Sequence, residues 1–151
     1  MGWEFFDSDD FIWVPTDPPY REMRAHAERN RMLLQTVRLD KDWVLSGSVT
    51  GWIDGQIANA FDLIVFLTLP KELRLARLRA RELHNLGRVD PAFIEWAGNY
   101  DDGDATIRSR VGHENWMERQ KTSVLRLEGD LTNDERLARV LSVLPSVPRR
   151  P

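Results

Sequence analysis

Apolar positions along the chain fall into two kinds of run. Short runs at 3–6, 43–46, 63–67 and 124–127 have the length and the Val, Ile, Leu and aromatic content of strands. In the third of these, Leu63, Ile64, Val65, Phe66 and Leu67 are apolar without alternation, the pattern of a central parallel strand covered by helices on both faces. The longer runs are periodic. Between 21 and 37, Met23, Ala27, Leu33, Leu34 and Val37 fit one helical stripe, preceded by an extended, proline-rich stretch at 14–20. After 63–67, Pro70 suits the first turn of a helix, and Leu73, Ala76, Ala80 and Leu83 recur at steps of three and four. Thr132 and Glu135 have capping-box spacing ahead of Leu137, Val140, Leu141 and Leu144.

Strands that alternate with helices predict parallel βαβ units, and therefore an α/β, doubly wound parallel sheet with its site at the carboxyl ends of the strands. Residues 84–120 interrupt the alternation. They carry helical patches around 93–96 and 107–116, a polar turn at 100–104 and no strand, and read as a helical lid inserted over the sheet. Pro145, Pro148, Pro151 and two arginines follow the last periodicity, so 1–144 is expected to be a single domain and 145–151 a disordered tail.

Composition narrows the classes. With 42% hydrophobic residues in 151, the chain has enough apolar material for the core of one domain. A formal charge of -3, with the basic residues spread among the acidic ones, argues against a general nucleic-acid binder. The absence of cysteine excludes disulfides and thiolate metal sites. Neither a signal-peptide pattern nor an apolar stretch of about 18 residues is present, which leads to the expectation of a cytoplasmic protein with no membrane partner.

Several clusters carry candidate chemistry. Asp7, Ser8, Asp9 and Asp10 end the first strand run, where carboxylates can hold magnesium through water, orient a hydroxyl acceptor or take its proton; they read equally well as a capped, solvated turn. The small-residue stretch Ser46, Gly47, Ser48, Thr50, Gly51 would let backbone amides approach a ligand, or would form a simple loop. It has no lysine, and the phosphate-loop pattern G-x-x-x-x-G-K-[ST] does not occur in the 151 residues. Arg74, Arg77, Arg81 and Arg88 line a helical stripe suited to phosphate, or to a solvated face paired with Glu72 and Glu82. Arg108 and Arg110 follow the acidic turn Asp101, Asp102. His26, His84 and His113 lack metal-ligand spacing, and the six tryptophans suit packing.

The order of these pieces resembles the adenylate kinase and shikimate kinase branch of the P-loop NTPases, over nearly the whole chain. Bacterial proteins of this look often carry an AAA family ATPase or topology-modulation label. The stretch Leu69, Pro70, Lys71, Glu72, Leu73 with Arg77 and Arg81 is similar to the helix that opens the adenylate kinase lid, whose arginines pack on adenine and contact phosphates. Asp101, Asp102, Thr106, Arg108 and Arg110 are similar to the far side of that lid, where arginines clamp the transferring phosphoryl group. Leu127, Glu128, Gly129 and Asp130 resemble the turn whose backbone lies along the adenine edge. Asp7 and Asp9 resemble the acidic motif of shikimate and gluconate kinases, which implies magnesium near Asp7, through water, and a hydroxylated acceptor at Asp9.

The resemblance thus implies ATP and magnesium as cofactors. It implies catalytic roles for Arg81, Arg108, Arg110 and Asp9, and nucleotide contacts for Arg77 and Gly129. It also implies a nucleotide and a small-molecule acceptor as partners. An arginine after the glycine turn, which grips a nucleoside monophosphate in adenylate kinase, is absent from Ser48 to Trp52. Met1 and Gly2 look like the end of the family's first helix, so the first strand, phosphate loop and first helix are expected to be missing. The chain as written is then expected to have negligible kinase activity. The sheet edge left open would offer a route to a homodimer. The alternative is a non-catalytic module that binds a nucleotide or a protein.

Overall fold

The computed structural model describes residues 2–53, 55–103 and 108–144. Its elements run β1 (Glu4–Asp7), α1 (Ser8–Ile12), α2 (His26–Thr36), β2 (Trp43–Ser46), α3 (Gly55–Ala58), β3 (Leu63–Thr68), α4 (Lys71–Leu86), α5 (Pro91–Gly98), α6 (Arg110–Glu118), β4 (Ser123–Glu128) and α7 (Asn133–Val143). The chain divides into two compact units, 1–60 and 61–151.

In the first unit β1 and β2 pair in parallel, with Glu4 opposite Trp43 and Asp7 opposite Ser46. Phe11, Leu33, Val37, Trp52 and Ile57 are its buried apolar residues, and Leu33 and Ile57 are fully closed to solvent. The helical stripe expected from 21 begins only at His26. Residues before it are drawn into extended pairing: Met23 bridges Trp13, Val14 N–H donates to the Glu22 carbonyl at 2.9 Å, and Arg24 N–H donates to that of Ile12 at 2.8 Å. Backbone bonds to a neighbouring segment here outweigh helical propensity at the segment's start. The short helix α1 was legible only as a capped turn; the Asp7 carboxylate caps it by accepting from Asp9 N–H at 3.0 Å.

In the second unit β3 and β4 pair in parallel from Leu63 opposite Ser123 to Thr68 opposite Glu128. All four strand runs are present, within one residue at either end, and each unit is α/β with parallel pairing. Pro70 is the cap of α4, one position earlier than its expected place inside the first turn. A different face of α4 is covered. Ala76, Ala80 and Leu83 of the expected apolar stripe are exposed, whereas Arg74, Leu75 and Leu78 are half-buried. Gly87, at φ 67, closes the helix in the left-handed conformation.

Two helices, α5 and α6, occupy the segment expected to hold helices and no strand. Asp90 and Ser109 cap them, the latter accepting from Gly112 N–H at 3.0 Å. At α7 both bonds of the capping box form, Glu135 N–H to Thr132 Oγ1 at 3.2 Å and Thr132 N–H to Glu135 Oε2 at 2.7 Å. Thr106 and the tail 145–151 lie outside the described residues. No helix among the described residues is long and apolar enough to cross a membrane.

Candidate functional site

The carboxyl ends of β3 and β4 open into a cleft of about 430 Å³ lined by Thr68, Leu69, Pro70, Lys71, Asp101, Arg110, Glu128 and Gly129. Its floor is backbone. Gly129 sits at φ 83, a conformation that suits glycine, and its N–H donates to the Thr68 carbonyl at 3.0 Å, tying the two strand ends together. That amide is therefore committed, and the charged groups of the cleft are side chains.

Those side chains come from α4 and from the Tyr100–Arg110 region. Lys71, at the start of α4, lies 3.0 Å from Asp102. Arg74, one turn on, is more enclosed. It donates to Asp101 at 2.7 Å and to the carbonyls of Leu69 and Ala97 at 3.3 and 3.4 Å, and its guanidinium carbon lies 5.1 Å from the centre of the Tyr100 ring. Stacking and forked hydrogen bonding at once are what a guanidinium can supply and an ammonium cannot. Arg110 approaches the other Asp101 oxygen at 3.9 Å, and its N–H donates to the Tyr100 carbonyl at 2.8 Å. Asp101 thus stands between Arg74 and Arg110.

The residues singled out by resemblance divide. Arg77 pairs with Asp130, the neighbour of Gly129, so Arg77, Gly129 and Arg110 belong to the same strand-end region. Arg81 does not line the cleft; it bonds Glu82 at 3.3 Å and is largely exposed. Arg108 also turns aside, its guanidinium carbon 5.5 Å from the centre of the Trp96 ring. Lys71, Arg74 and Tyr100 were not singled out by the resemblance as site residues; Arg74 and Tyr100 join Asp101 and Arg110 in one polar network, and Lys71 pairs separately with Asp102. The sequence offered one clue to them, the Lys71, Arg74 and Arg77 spacing of three on one helix.

Beneath the network lies His113. Tyr100 Oη is 2.7 Å from its Nδ1, and the Phe66 ring is packed 6.0 Å from its own. Burial, with Arg108 adding to it and Glu114 opposing, pushes the imidazole pKa down to about 4, so the ring is neutral at neutral pH. Burial raises the Tyr100 hydroxyl above its ordinary value, against the pull of Arg108 and Arg110. On the same sheet face Arg126 forks onto Glu114 at 2.8 and 2.5 Å and lies 5.5 Å over Phe66; the hydrogen bond from Arg126 holds the Glu114 carboxyl below its usual range.

The acidic cluster of the first unit has its own geometry. Asp7 spends one carboxylate oxygen on the Asp9 amide, and Asp9 itself is exposed. Gly47 follows β2 at φ 102, where a Cβ would collide with the Ser8 hydroxyl. That glycine is required by contact with Ser8, independent of any ligand. Ser8 Oγ is fully buried and has no hydrogen-bond partner among the described residues. Trp52, buried behind the turn, donates from Nε1 to the Ser48 carbonyl at 3.1 Å. Among the described residues there is no group of three or more His, Asp or Glu side chains that would cage a metal.

No protein-family model matches the chain, and no solved structure matches it significantly. A cytidylate kinase of Desulfurococcus amylolyticus is 36% identical over 62 residues, 41% of this chain and 32% of that enzyme. The uncharacterized protein YqaC of Bacillus subtilis (strain 168) is 37% identical over 150 residues, covering 93% of this chain and 82% of that protein. At that identity and coverage, the chain belongs to the same family as Bacillus subtilis YqaC.

Proposed function

We propose that this chain is a nucleotide-binding domain of the phosphotransferase type, holding the phosphates of ATP in the cleft at the ends of β3 and β4. The observation that carries the reading is the set of Lys71, Arg110 and the Gly129 turn around one cleft at the carboxyl ends of parallel strands, with Arg77 on the residue next to Gly129. Ligands of parallel α/β domains bind at those ends, and guanidinium and ammonium groups suit phosphate oxygens. The partial likeness to a cytidylate kinase points the same way. A doubly wound sheet of the P-loop kinase type, with α5 and α6 as its lid, is the architecture this reading implies.

Each unit offers donors by itself. Lys71, Arg77 and Arg110 would take phosphate oxygens. Asp7, with one carboxylate oxygen uncommitted to the α1 cap, suits a magnesium ion that keeps most of its water, and Asp9 would face a hydroxylated acceptor. Arg81 and Arg108 would have to leave Glu82 and Trp96 to reach a phosphoryl group. A second reading, a non-catalytic module that binds a nucleotide or a protein, is favoured by the committed Gly129 amide and the aspartates already paired with the cleft's cations.

Calorimetric titration of the chain with ATP and magnesium tests both. Saturable binding that is weakened by Arg110→Ala and Lys71→Ala supports the nucleotide site. No heat and no thermal stabilisation would remove it.

A further inference from the structure

Among the described residues, Lys71, Arg74, Arg77 and Arg110 each lie against an aspartate of the same unit. Lys71 Nζ lies 3.0 Å from Asp102, Arg74 lies 2.7 Å from Asp101, Arg110 lies 3.9 Å from the second Asp101 oxygen, and Arg77 pairs with Asp130. Glu128 adds a further carboxylate to the wall. Lys71, Arg74, Arg77 and Arg110 are therefore offset by Asp101, Asp102, Asp130 and Glu128, and an anion that enters the cleft competes with carboxylates already in place.

Two of the three aspartates, Asp102 and Asp130, sit where they can let go, whereas Asp101 is partly enclosed against Arg74. Asp101 and Asp102 belong to the turn after α5, and Asp130 to the turn after β4; none of them caps a helix. Asp102 and Asp130 are largely exposed, 74% and 56%. Arg74 holds the Leu69 and Ala97 carbonyls as well as Asp101. The exposed pairs of Asp102 and Asp130 contribute little to stability, so their exchange is inexpensive.

From this arrangement we infer that Asp102 and Asp130 are internal stand-ins for the anionic groups of a polyphosphate, and that they lower the affinity of the cleft until a ligand displaces them. A ligand enters by exchange: its phosphate oxygens take over the guanidinium and ammonium hydrogens, and the carboxylates swing to water. A single phosphate displaces one carboxylate and gains little. A chain of linked phosphates displaces both at once, because after the first contact the others are held close by the linkage. The aspartates therefore weaken the binding of any anion, and a triphosphate recovers affinity through its linked contacts where orthophosphate does not. The inference rests on the polyphosphate reading of the cleft and concerns how that site is regulated.

The test titrates inorganic triphosphate and, separately, orthophosphate into the wild-type chain and into Asp102→Asn, Asp130→Asn and Arg110→Ala. Asp40→Asn, which removes the partner of Arg38 in the other unit, serves as a control for net charge. Triphosphate is expected to bind Asp102→Asn and Asp130→Asn about fivefold more tightly than wild type, the factor that corresponds to one exposed ion pair. Asp40→Asn is expected to match wild type. If triphosphate binds wild type and is weakened by Arg110→Ala, yet Asp102→Asn and Asp130→Asn bind no more tightly, the stand-in role is refuted and the site stands. Equal tightening by Asp40→Asn also refutes it, since the effect is then net charge. If triphosphate binds no form of the chain, the polyphosphate reading fails and the stand-in role fails with it.

Discussion

The Tyr100 hydroxyl lies 2.7 Å from Nδ1 of His113, beneath the network that joins Arg74, Asp101 and Arg110. With the imidazole neutral, one hydrogen bond joins hydroxyl and ring, its direction set by which ring nitrogen carries the proton. The folded-state pKa of about 4 lies below the unfolded value near 6.5, so between these limits the unfolded chain binds a proton that the folded chain refuses. Stability is then flat above pH 6.5 and falls as pH drops toward 4. An NMR titration should find the His113 ring neutral down to about pH 4; a midpoint near 6.5 would mean that it is not enclosed. Tyr100→Phe should cost about 1 kcal/mol in thermal or urea unfolding, the usual value of one hydrogen bond.

Ser8 and Gly47 form a second coupled pair. Because Ser8 Oγ is buried with no partner among the described residues, Ser8→Ala removes an unsatisfied polar atom and should be neutral or stabilising by up to about 1 kcal/mol. Gly47→Ala puts a side chain at φ 102 and against Ser8, and should destabilise by roughly 2 kcal/mol or more. Urea melts of the two single variants check both signs, and a stable Gly47→Ala chain would contradict the packing of the β2 turn.

Exposure on α4 and β4 gives a sharp contrast. Leu127 is 2% exposed and Leu83 is 59% exposed. Leu127→Ala should cost about 2–5 kcal/mol, whereas Leu83→Ala should stay within about 0.5 kcal/mol. Comparable losses in denaturant unfolding would mean that the covered face of α4 is the one its leucine and alanine spacing first suggested.

Thr132→Ala removes the side-chain acceptor for Glu135 N–H and the anchor of the α7 capping box. A loss of about 1 kcal/mol is expected from circular dichroism melts. An unchanged melting curve would place the stability of α7 elsewhere than in its cap.

Strands and caps were the most legible parts of this chain. Runs such as 63–67 and the Thr132–Glu135 pair encode their structure locally, in period and in hydrogen-bonding capacity. What spacing alone misassigned was decided by partners distant in sequence. Arg74 lies on a covered face because Tyr100, Asp101 and two carbonyls receive it, which leaves Ala76 and Ala80 outward. The start of α2 was lost to pairing between Trp13 and Met23. At the candidate site, the strand-end turn at Gly129 and Arg110 were legible as a pattern. The pairing of each cleft cation with an aspartate was not, because the Lys71–Asp102 and Arg74–Asp101 contacts span 31 and 27 residues. Nor could spacing reveal that Arg108 rests on Trp96 and Arg81 on Glu82, since side-chain orientation is set by neighbours that periodicity does not report.

The most direct measurement is a two-dimensional amide NMR spectrum of the chain recorded with increasing ATP and magnesium. Saturable shifts should concentrate at Lys71, Arg110, Gly129 and Asp130, and Arg110→Ala should abolish them. Shifts confined to other surfaces, or none at millimolar ATP, would contradict a nucleotide site at the ends of β3 and β4.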